Sequence, residues 1–171
     1  MVEAQIASRL NHPNIVSIHN FGRTSSLDGG DVLMVMELLR GPSLGAVLRN
    51  EWPLPLARIA DILCQTLGAL ADAHARNITH RDVKPPNIVI ERTAAGGDHV
   101  KLIDFGIARI ETGRRFTKVG EVIGTPSYMS PEQASGQDAG AGADLYAVGV
   151  ILFQMLTGAL PFSGPSPTAI L

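Results

Sequence analysis

The stretch THRDVKPPNIVI, residues 79–90, decides how this sequence is interpreted. Within eight positions it contains five polar or charged side chains, namely His80, Arg81, Asp82, Lys84 and Asn87. The branched apolar residues that follow Asn87 predict that a loop leads into a strand here. A solvated loop could have this composition by chance. Whether the cluster is functional must therefore be judged from the spacing of these residues and from the residues downstream.

A second acidic motif lies downstream, where DFG occupies residues 104–106. NIVIE (87–91) and HVKLI (99–103) have the character of short strands, joined by the turn residues AAGGD. The resulting hairpin would bring Asp104 back beside Asn87. An amide oxygen and a carboxylate that converge form an oxygen site suited to Mg²⁺.

The charges near this site fit phosphoryl transfer. Lys84 would place a positive charge on a transferring phosphoryl group. Asp82 would lie where an incoming hydroxyl arrives, and it would orient that hydroxyl and accept its proton. The cluster would then hold one phosphoryl group, its metal and its acceptor at the same time.

The ordered motifs resemble the eukaryotic-type protein kinase family, in its bacterial Ser/Thr branch. HRDVKPPN matches the family's catalytic loop H-R-D-x-x-x-x-N, DFG matches its metal-binding triad, and SPE (130–132) stands where A-P-E is usual. Lys84 with Pro85, together with GTPSYMSPE, is similar to the Ser/Thr-specific branch. The resemblance implies an α+β, protein-kinase-like fold over residues 1–171. Residues 1–39 would be a partial N-lobe with helix C, two strands and the hinge, and residues 40–171 most of a mainly helical C-lobe.

The resemblance also implies roles for single residues. Asp82 would be the catalytic base, Lys84 would contact the γ-phosphate of ATP, and Asn87 with Asp104 would hold Mg²⁺. The other implied contacts are Met36 as gatekeeper, Glu37 to Leu39 as the hinge whose backbone binds adenine, Val89 as the floor beneath adenine, and Thr125 beside Asp82 and Lys84.

Three further residues are implied to regulate the enzyme. Glu3 matches the glutamate of helix C, whose partner in the family is a lysine on the preceding strand. Arg81 would pair with a phosphate on the activation segment and thereby order it. Thr117, in RRFTKVGEVIGT, is the candidate phosphorylation site.

Other positions have structural roles by the same resemblance. Asp144 would anchor the backbone of the catalytic loop. His80 is expected to pack under Phe105 and bond to backbone rather than to act in catalysis. Of the two methionines on the second strand, Met34 and Met36, we expect only Met36 to face the nucleotide cleft.

The implied activity is transfer of the ATP γ-phosphate to Ser or Thr hydroxyls of proteins. However, these residues contain no Gly-rich phosphate loop, and Lys84 is the first lysine in the sequence. Two readings stay open, a fragment of a complete kinase and a naturally truncated pseudokinase that binds a partner protein. In both cases the 171-residue chain alone is expected to be inactive.

The composition bears on whether the chain binds nucleic acid or spans a membrane. The chain is 45% hydrophobic and 18% charged, with a net charge of −2, which is ordinary for a soluble domain. No basic stripe indicates nucleic-acid binding, and the apolar run near residue 150 is too short to span a bilayer. We therefore expect no nucleic-acid partner, no membrane segment in these residues and a cytoplasmic location, with anchoring of a parent protein left open.

The remaining elements follow from periodicity and turn residues. A helix beginning at Pro55 is predicted to bury one face made of Leu56, Ile59, Leu63, Leu67, Leu70 and His74. Residues 104–141 have no periodicity and are predicted to be a long structured loop. Further predictions are a helix over 2–10, an antiparallel hairpin of strands 14–21 and 31–39, a helix over 43–50, and a buried helix over 142–156.

Overall fold

The computed structural model describes residues 10–23, 32–105 and 126–164. Within these ranges the chain forms two small sheets, several helices and two 3₁₀ turns. The elements are β1 (Ile18–Arg23), β2 (Val32–Met36), α1 (Leu44–Glu51), α2 (Leu56–Ala75), a 3₁₀ turn (Pro85–Asn87), β3 (Ile88–Arg92), β4 (Asp98–Leu102), a 3₁₀ turn (Pro126–Tyr128), α3 (Pro131–Ala134) and α4 (Ala141–Thr157). Most of the predicted helix 2–10 lies outside the described residues.

Both predicted hairpins are confirmed. β1 pairs antiparallel with β2, and β3 pairs antiparallel with β4. The first strand was predicted to begin too early, because residues 14–16 pair with β4 instead of β2. The N–H of Val16 donates to the carbonyl of Leu102 at 2.9 Å, and the N–H of Leu102 donates to the carbonyl of Asn14 at 2.9 Å. This segment therefore ties the first hairpin to the second.

The core forms where α2 packs between β4 and α4. Its fully buried side chains include Leu44, Ile62, Leu70, Ile88, Ile90, Leu102 and Ile151. The predicted apolar face of α2 was partly wrong, because Leu56 is 71% exposed and Leu67 is also exposed. The helix instead turns Ile62, Thr66, Ala69 and Ala73 inward. The smaller side chains of Thr66, Ala69 and Ala73 allow close packing, which a pattern of large apolar residues does not reveal.

Helix α4 is buried on one side, so the predicted burial of the helix over 142–156 holds for that face. Its outer face exposes Leu145, Leu152, Phe153 and Leu156. The helix ends at Gly158, whose φ of 74° is the left-handed conformation that glycine adopts readily. None of the helices in the described part of the chain is long and apolar enough to cross a membrane.

Two short elements lie in the segment 104–141 that was predicted to be a loop, the turn Pro126–Tyr128 and helix α3. Ser130 begins α3 with a capping box, because its hydroxyl accepts from the N–H of Gln133 and its own N–H donates to the Gln133 side chain. The sequence SPEQ contains this signature.

The chain after β2 runs against β3 at Gly41. The N–H of Ile90 donates to the carbonyl of Pro42 at 2.9 Å, which draws the two segments together. A Cβ at residue 41 would lie 1.9 Å from the carbonyl oxygen of Ile90. Only glycine fits at this position without moving β3.

We therefore expect Gly41→Ala to lower the free energy of unfolding by roughly 1–3 kcal/mol, as overpacking of a filled site does. Gly68→Ala is the matched control, because an added Cβ there meets nothing within 4 Å in the middle of α2. That variant should be as stable as wild type or more stable. Urea unfolding of both variants checks this, and equal stability of the two would contradict the packing argument.

Candidate active site

Asp144, in the first turn of α4, organises the loop that holds the chemical groups. Its side chain is 1% exposed. One carboxylate oxygen accepts from the N–H of Arg81 at 2.7 Å, and the other accepts from the N–H of His80 at 2.9 Å. His74 Nε2 lies 2.7 Å from the second oxygen. The predicted anchoring of the catalytic loop by Asp144 is confirmed, whereas the contribution of His74 was not predicted.

His80 is fully buried and has the structural role that we predicted. Its ring centroid lies 4.5 Å from that of Phe105. Nδ1 accepts from the N–H of Asp82 at 3.3 Å, so Nε2 carries the hydrogen that is donated to the carbonyl of Ile103 at 2.9 Å. Burial lowers the pKa of His80, although Asp144 and the Ile103 carbonyl favour the charged form. The ring is therefore neutral and links the catalytic loop to the DFG segment.

Arg81 has a strained backbone with φ of 66°, a conformation that is unusual for a bulky residue. Hydrogen bonds from neighbouring residues keep Arg81 in this conformation. Its N–H bonds to Asp144, its carbonyl accepts from Gln133 Nε2 at 2.8 Å, and its Nε donates to the carbonyl of Ala139 at 3.3 Å. The side chain thus points toward the segment before α4, and its pairing with a phosphate stays a prediction.

Asp82, Lys84 and Asn87 form one cluster, as the sequence predicted. Lys84 Nζ lies 2.8 Å from Asp82 Oδ2. The Asn87 amide nitrogen donates to the same oxygen at 3.0 Å and to the Asp82 backbone carbonyl at 2.9 Å. The Asp82 side chain is half exposed. The carboxylate is therefore held from two sides and still faces solvent, where an acceptor group can reach it.

Asp104 lies beside this cluster. The N–H of Ile103 donates to the carbonyl of Asn87 at 3.0 Å, so Asp104 follows directly on the residue that pairs with Asn87. Asp104 is exposed and has φ of 60°. The predicted return of the hairpin is confirmed, because strand β4 brings the two residues to the same end of the sheet.

The residues present fit a magnesium ion. Both hydrogen bonds of Asn87 to Asp82 use the amide nitrogen, which directs the amide oxygen away from Asp82. That oxygen and the Asp104 carboxylate are the hard ligands that Mg²⁺ takes, together with phosphate oxygens and water. Among the described residues no three His, Cys, Asp or Glu side chains cluster as a metal site.

A cavity adjoins the cluster on the side of the first hairpin. Met36 and Asp104 both line it, together with Phe105. Met34 lines the same cavity, so the prediction that only Met36 faces inward was wrong. The reason is the two-residue period of a strand, which places Met34 and Met36 on one face.

The other residues that were predicted to contact the nucleotide lie on β3 and directly after β2, and their contacts stay predictions. Val89 is buried on β3, two residues after Asn87, and Glu37 to Leu39 follow β2 directly. Glu3, Thr117 and Thr125 lie outside the described residues, so the roles predicted for them stay predictions.

The comparison with known proteins decides the family. A model of the family described as "Protein kinase domain" matches residues 1–170. The chain belongs to the protein kinase family. Two curated kinases are similar to it. Serine/threonine-protein kinase pkn3 of Myxococcus xanthus is 48% identical over 168 residues, which cover 96% of this chain and 30% of that protein. Serine/threonine-protein kinase PknB of Mycolicibacterium smegmatis is 41% identical over 170 residues, which cover 98% of this chain and 27% of that protein.

A solved kinase structure has the same fold. The crystal structure of Rad53 1-466 in complex with AMP-PNP superposes with a TM-score of 0.78 at 29% identity, over 99% of this chain and 40% of that chain. The kinase chain described here thus spans less than half the length of each of these proteins. These findings confirm the predicted family and the partial kinase fold.

The burial of neutral His80 predicts that stability falls in mild acid. Below its ordinary pKa of 6.5 the unfolded chain takes up a proton that the folded chain does not. The free energy of unfolding should therefore decrease between about pH 7.5 and pH 5.5, by at most about 1.4 kcal/mol per pH unit. His80→Phe keeps a ring against Phe105 and removes the titration. Urea unfolding at several pH values should give a flatter profile for the variant, and identical slopes would contradict the assignment.

The contacts of Asp144 predict a large loss of stability on neutralisation. In Asp144→Asn one of the two acceptor oxygens becomes an NH2 donor, which then faces an N–H group that needs an acceptor, in a site closed to water. We expect the free energy of unfolding to fall by about 3–5 kcal/mol. Asp138→Asn, at an exposed position shortly before α4, should change it by less than about 0.5 kcal/mol. Chemical unfolding of both variants measures the difference, and a small effect at residue 144 would refute the anchoring role.

Proposed function

We propose that this chain is part of a protein kinase that transfers the γ-phosphate of ATP to Ser or Thr hydroxyls of proteins. The observation that best supports this activity is the cluster in which Lys84 and Asn87 bind the Asp82 carboxylate while it stays open to solvent. Pseudokinase modules need none of these groups, so their presence together supports catalysis. Residues 1–39 belong to the N-lobe and 40–171 to the C-lobe in this proposal.

In the proposed reaction Asp82 receives the acceptor hydroxyl. Asn87 holds one carboxylate oxygen, which leaves the other oriented for the proton of that hydroxyl. Lys84, now paired with Asp82 at 2.8 Å, turns to the γ-phosphate when ATP binds. Catalysis is mainly positioning and charge stabilisation, as is general for phosphoryl transfer.

Asn87 and Asp104 hold Mg²⁺ in this proposal. When bound, the ion supplies positive charge to the phosphate oxygens. Thr125 is assigned to contact Asp82 and Lys84 beside the protein substrate. The proposal includes no nucleic-acid partner. It places the site in the cytoplasm, where ATP is available.

The nucleotide is proposed to bind between the two hairpins. Adenine would bond to the backbone of Glu37 and Leu39, with Met36 behind it and Val89 beneath it. Two observations support this, the position of Met36 and Asp104 on one cavity and the burial of Val89. The similarity to a kinase crystallised with AMP-PNP adds support.

Regulation is proposed through Arg81. A phosphate on Thr117 would pair with its guanidinium, and Glu3 would respond by engaging a lysine of the N-lobe. The strained Arg81 backbone, held by Asp144 and Gln133, supports a fixed position for the guanidinium.

The test is phosphate transfer from ATP to a generic basic protein by the complete protein that the gene encodes. Asp82→Asn should lower kcat by about 10²–10⁴-fold, the usual contribution of a positioned base. Asp61→Asn is the matched control, because Asp61 is exposed on α2 and its side-chain partner among the described residues is Gln65 in the same helix. An Asp82→Asn enzyme with wild-type rates would overturn the proposal.

The alternative function is a non-catalytic module that recruits a partner protein. The observation in its favour is that no lysine precedes Lys84 in these residues, so they contain no match for the upstream lysine that pairs with the helix C glutamate in the family. The same assay separates the two functions. A complete wild-type protein that binds no ATP and transfers no phosphate would favour the module.

A further inference from the structure

A second ion pair lies outside the catalytic loop and joins the two hairpins. Lys101 Nζ on β4 lies 2.7 Å from Glu37 Oε1, directly after β2. The side chains are 11% and 27% exposed, so the lysine is almost withdrawn from water. Burial of a lysine is costly unless the charge is paired, and no role assigned above requires this lysine.

Further bonds make the pair a junction of three segments. Glu37 Oε1 also accepts from the N–H of Ser17 at 2.7 Å, and the N–H of Glu37 donates to the Ser17 carbonyl at 3.0 Å. Lys101 Nζ lies 3.4 Å from the Ile15 carbonyl. Burial raises the pKa of Glu37, but the bonds from Lys101 and Ser17 outweigh it and hold the pKa below the ordinary value. The carboxylate is therefore ionised and bound from two sides.

The junction is formed by residues close in sequence to two residues that line the proposed nucleotide cleft. Glu37 follows Met36, which lines the same cavity as Asp104. Lys101 precedes Asp104 by three residues on the strand that leads to it. The pair therefore connects the backbone assigned to adenine with the strand that carries the metal-binding carboxylate. A change in the Lys101–Glu37 distance would therefore change the distance between the hinge backbone and β4.

We infer that Lys101 is a positioning residue that fixes the hinge backbone at Glu37 relative to Asp104, and so sets the affinity for adenine nucleotide. This inference rests on the proposed function for the site of the nucleotide. In this inference Lys101 acts through Glu37 and contacts neither the nucleotide nor the protein substrate. A buried ion pair is weak evidence of stabilisation, and its position between two binding elements favours a geometric role.

The chain offers a matched control on the same strand. Arg58 Nε lies 2.6 Å from Asp98 Oδ2 at the start of β4, with side chains 18% and 2% exposed. This pair joins β4 to α2 and does not contact the hinge. Asp98 also keeps a second partner, Arg92, at 3.1 Å. Arg58→Met thus removes a comparably buried ion pair from β4, together with the exposed pair of Arg58 with Glu51, without touching Glu37.

The first measurement is amide hydrogen exchange at the hinge without nucleotide. The Glu37 N–H is protected by its bond to Ser17 in the wild-type chain. Lys101→Met should speed exchange of this amide about tenfold, because the side chain that holds Glu37 is lost. Arg58→Met should leave it unchanged. Lys101→Arg, which keeps the charge, should restore most of the protection.

The second measurement is the affinity of the complete protein for ADP, with the KM for ATP and the KM for protein substrate. Lys101→Met should weaken ADP binding and raise the KM for ATP about tenfold, which corresponds to about 1.4 kcal/mol, with the protein-substrate KM unchanged. Glu37→Gln is made in parallel, because it removes the charge while keeping an acceptor for Ser17. It should show the same shift, including where Lys101→Met fails to fold.

The outcomes separate the inference from the proposed function. Wild-type exchange at Glu37 and wild-type ADP affinity in both variants would overturn the inference, as would equal effects of Arg58→Met. A wild-type protein that binds ADP but transfers no phosphate would overturn the proposed function and leave the inference to be decided by the variants. A protein that binds no ADP would overturn the claim on affinity, and hydrogen exchange would still decide whether Lys101 orders the hinge.

Discussion

The arrangement of this site depends on one carboxylate. Asp144 is buried in the first turn of α4, and its two oxygens receive the N–H groups of His80 and Arg81 together with the ring of His74. Charge-assisted bonds to a carboxylate in a dry site are stronger than neutral ones. The first turn of α4 therefore fixes the backbone of the loop before any substrate arrives, and a carboxylate without these donors could not be buried there.

The fixed backbone of the catalytic loop also determines where the side chains of Asp82 and Asp104 lie. Arg81 and Asp104 both have positive φ, near 66° and 60°, which costs free energy and persists only where the surroundings enforce it. His80 supplies part of this enforcement, because its neutral ring bonds to backbone on both the catalytic loop and the DFG segment. Asp82 and Asp104 are exposed, yet each follows a residue whose position is set by buried contacts.

Buried charge in this protein lies where segments distant in sequence meet. Asp144 joins α4 to the catalytic loop, and Lys101 joins β4 to the hinge. Apolar residues of similar size could replace Lys101 and Glu37 together without desolvation of a charge, but they would not select one relative placement of β4 and the hinge. The apolar packing of Ile62, Leu70 and Ile151 holds the layers together, whereas the ionic contacts define how the site elements are aligned.

The local order of the site was determined by the sequence itself. The spacing of Asp82, Asn87 and Asp104, with a hairpin between them, predicted their proximity because the pairing of adjacent strands is a short-range constraint. Long-range partners were decided by the tertiary structure. Asp144 meets His74 across 70 residues and Lys101 meets Glu37 across 64, and no local period encodes such contacts. The exposed face of α4 and the inward turn of small residues on α2 were decided in the same way, because burial depends on which neighbour a helix packs against and not on its own composition.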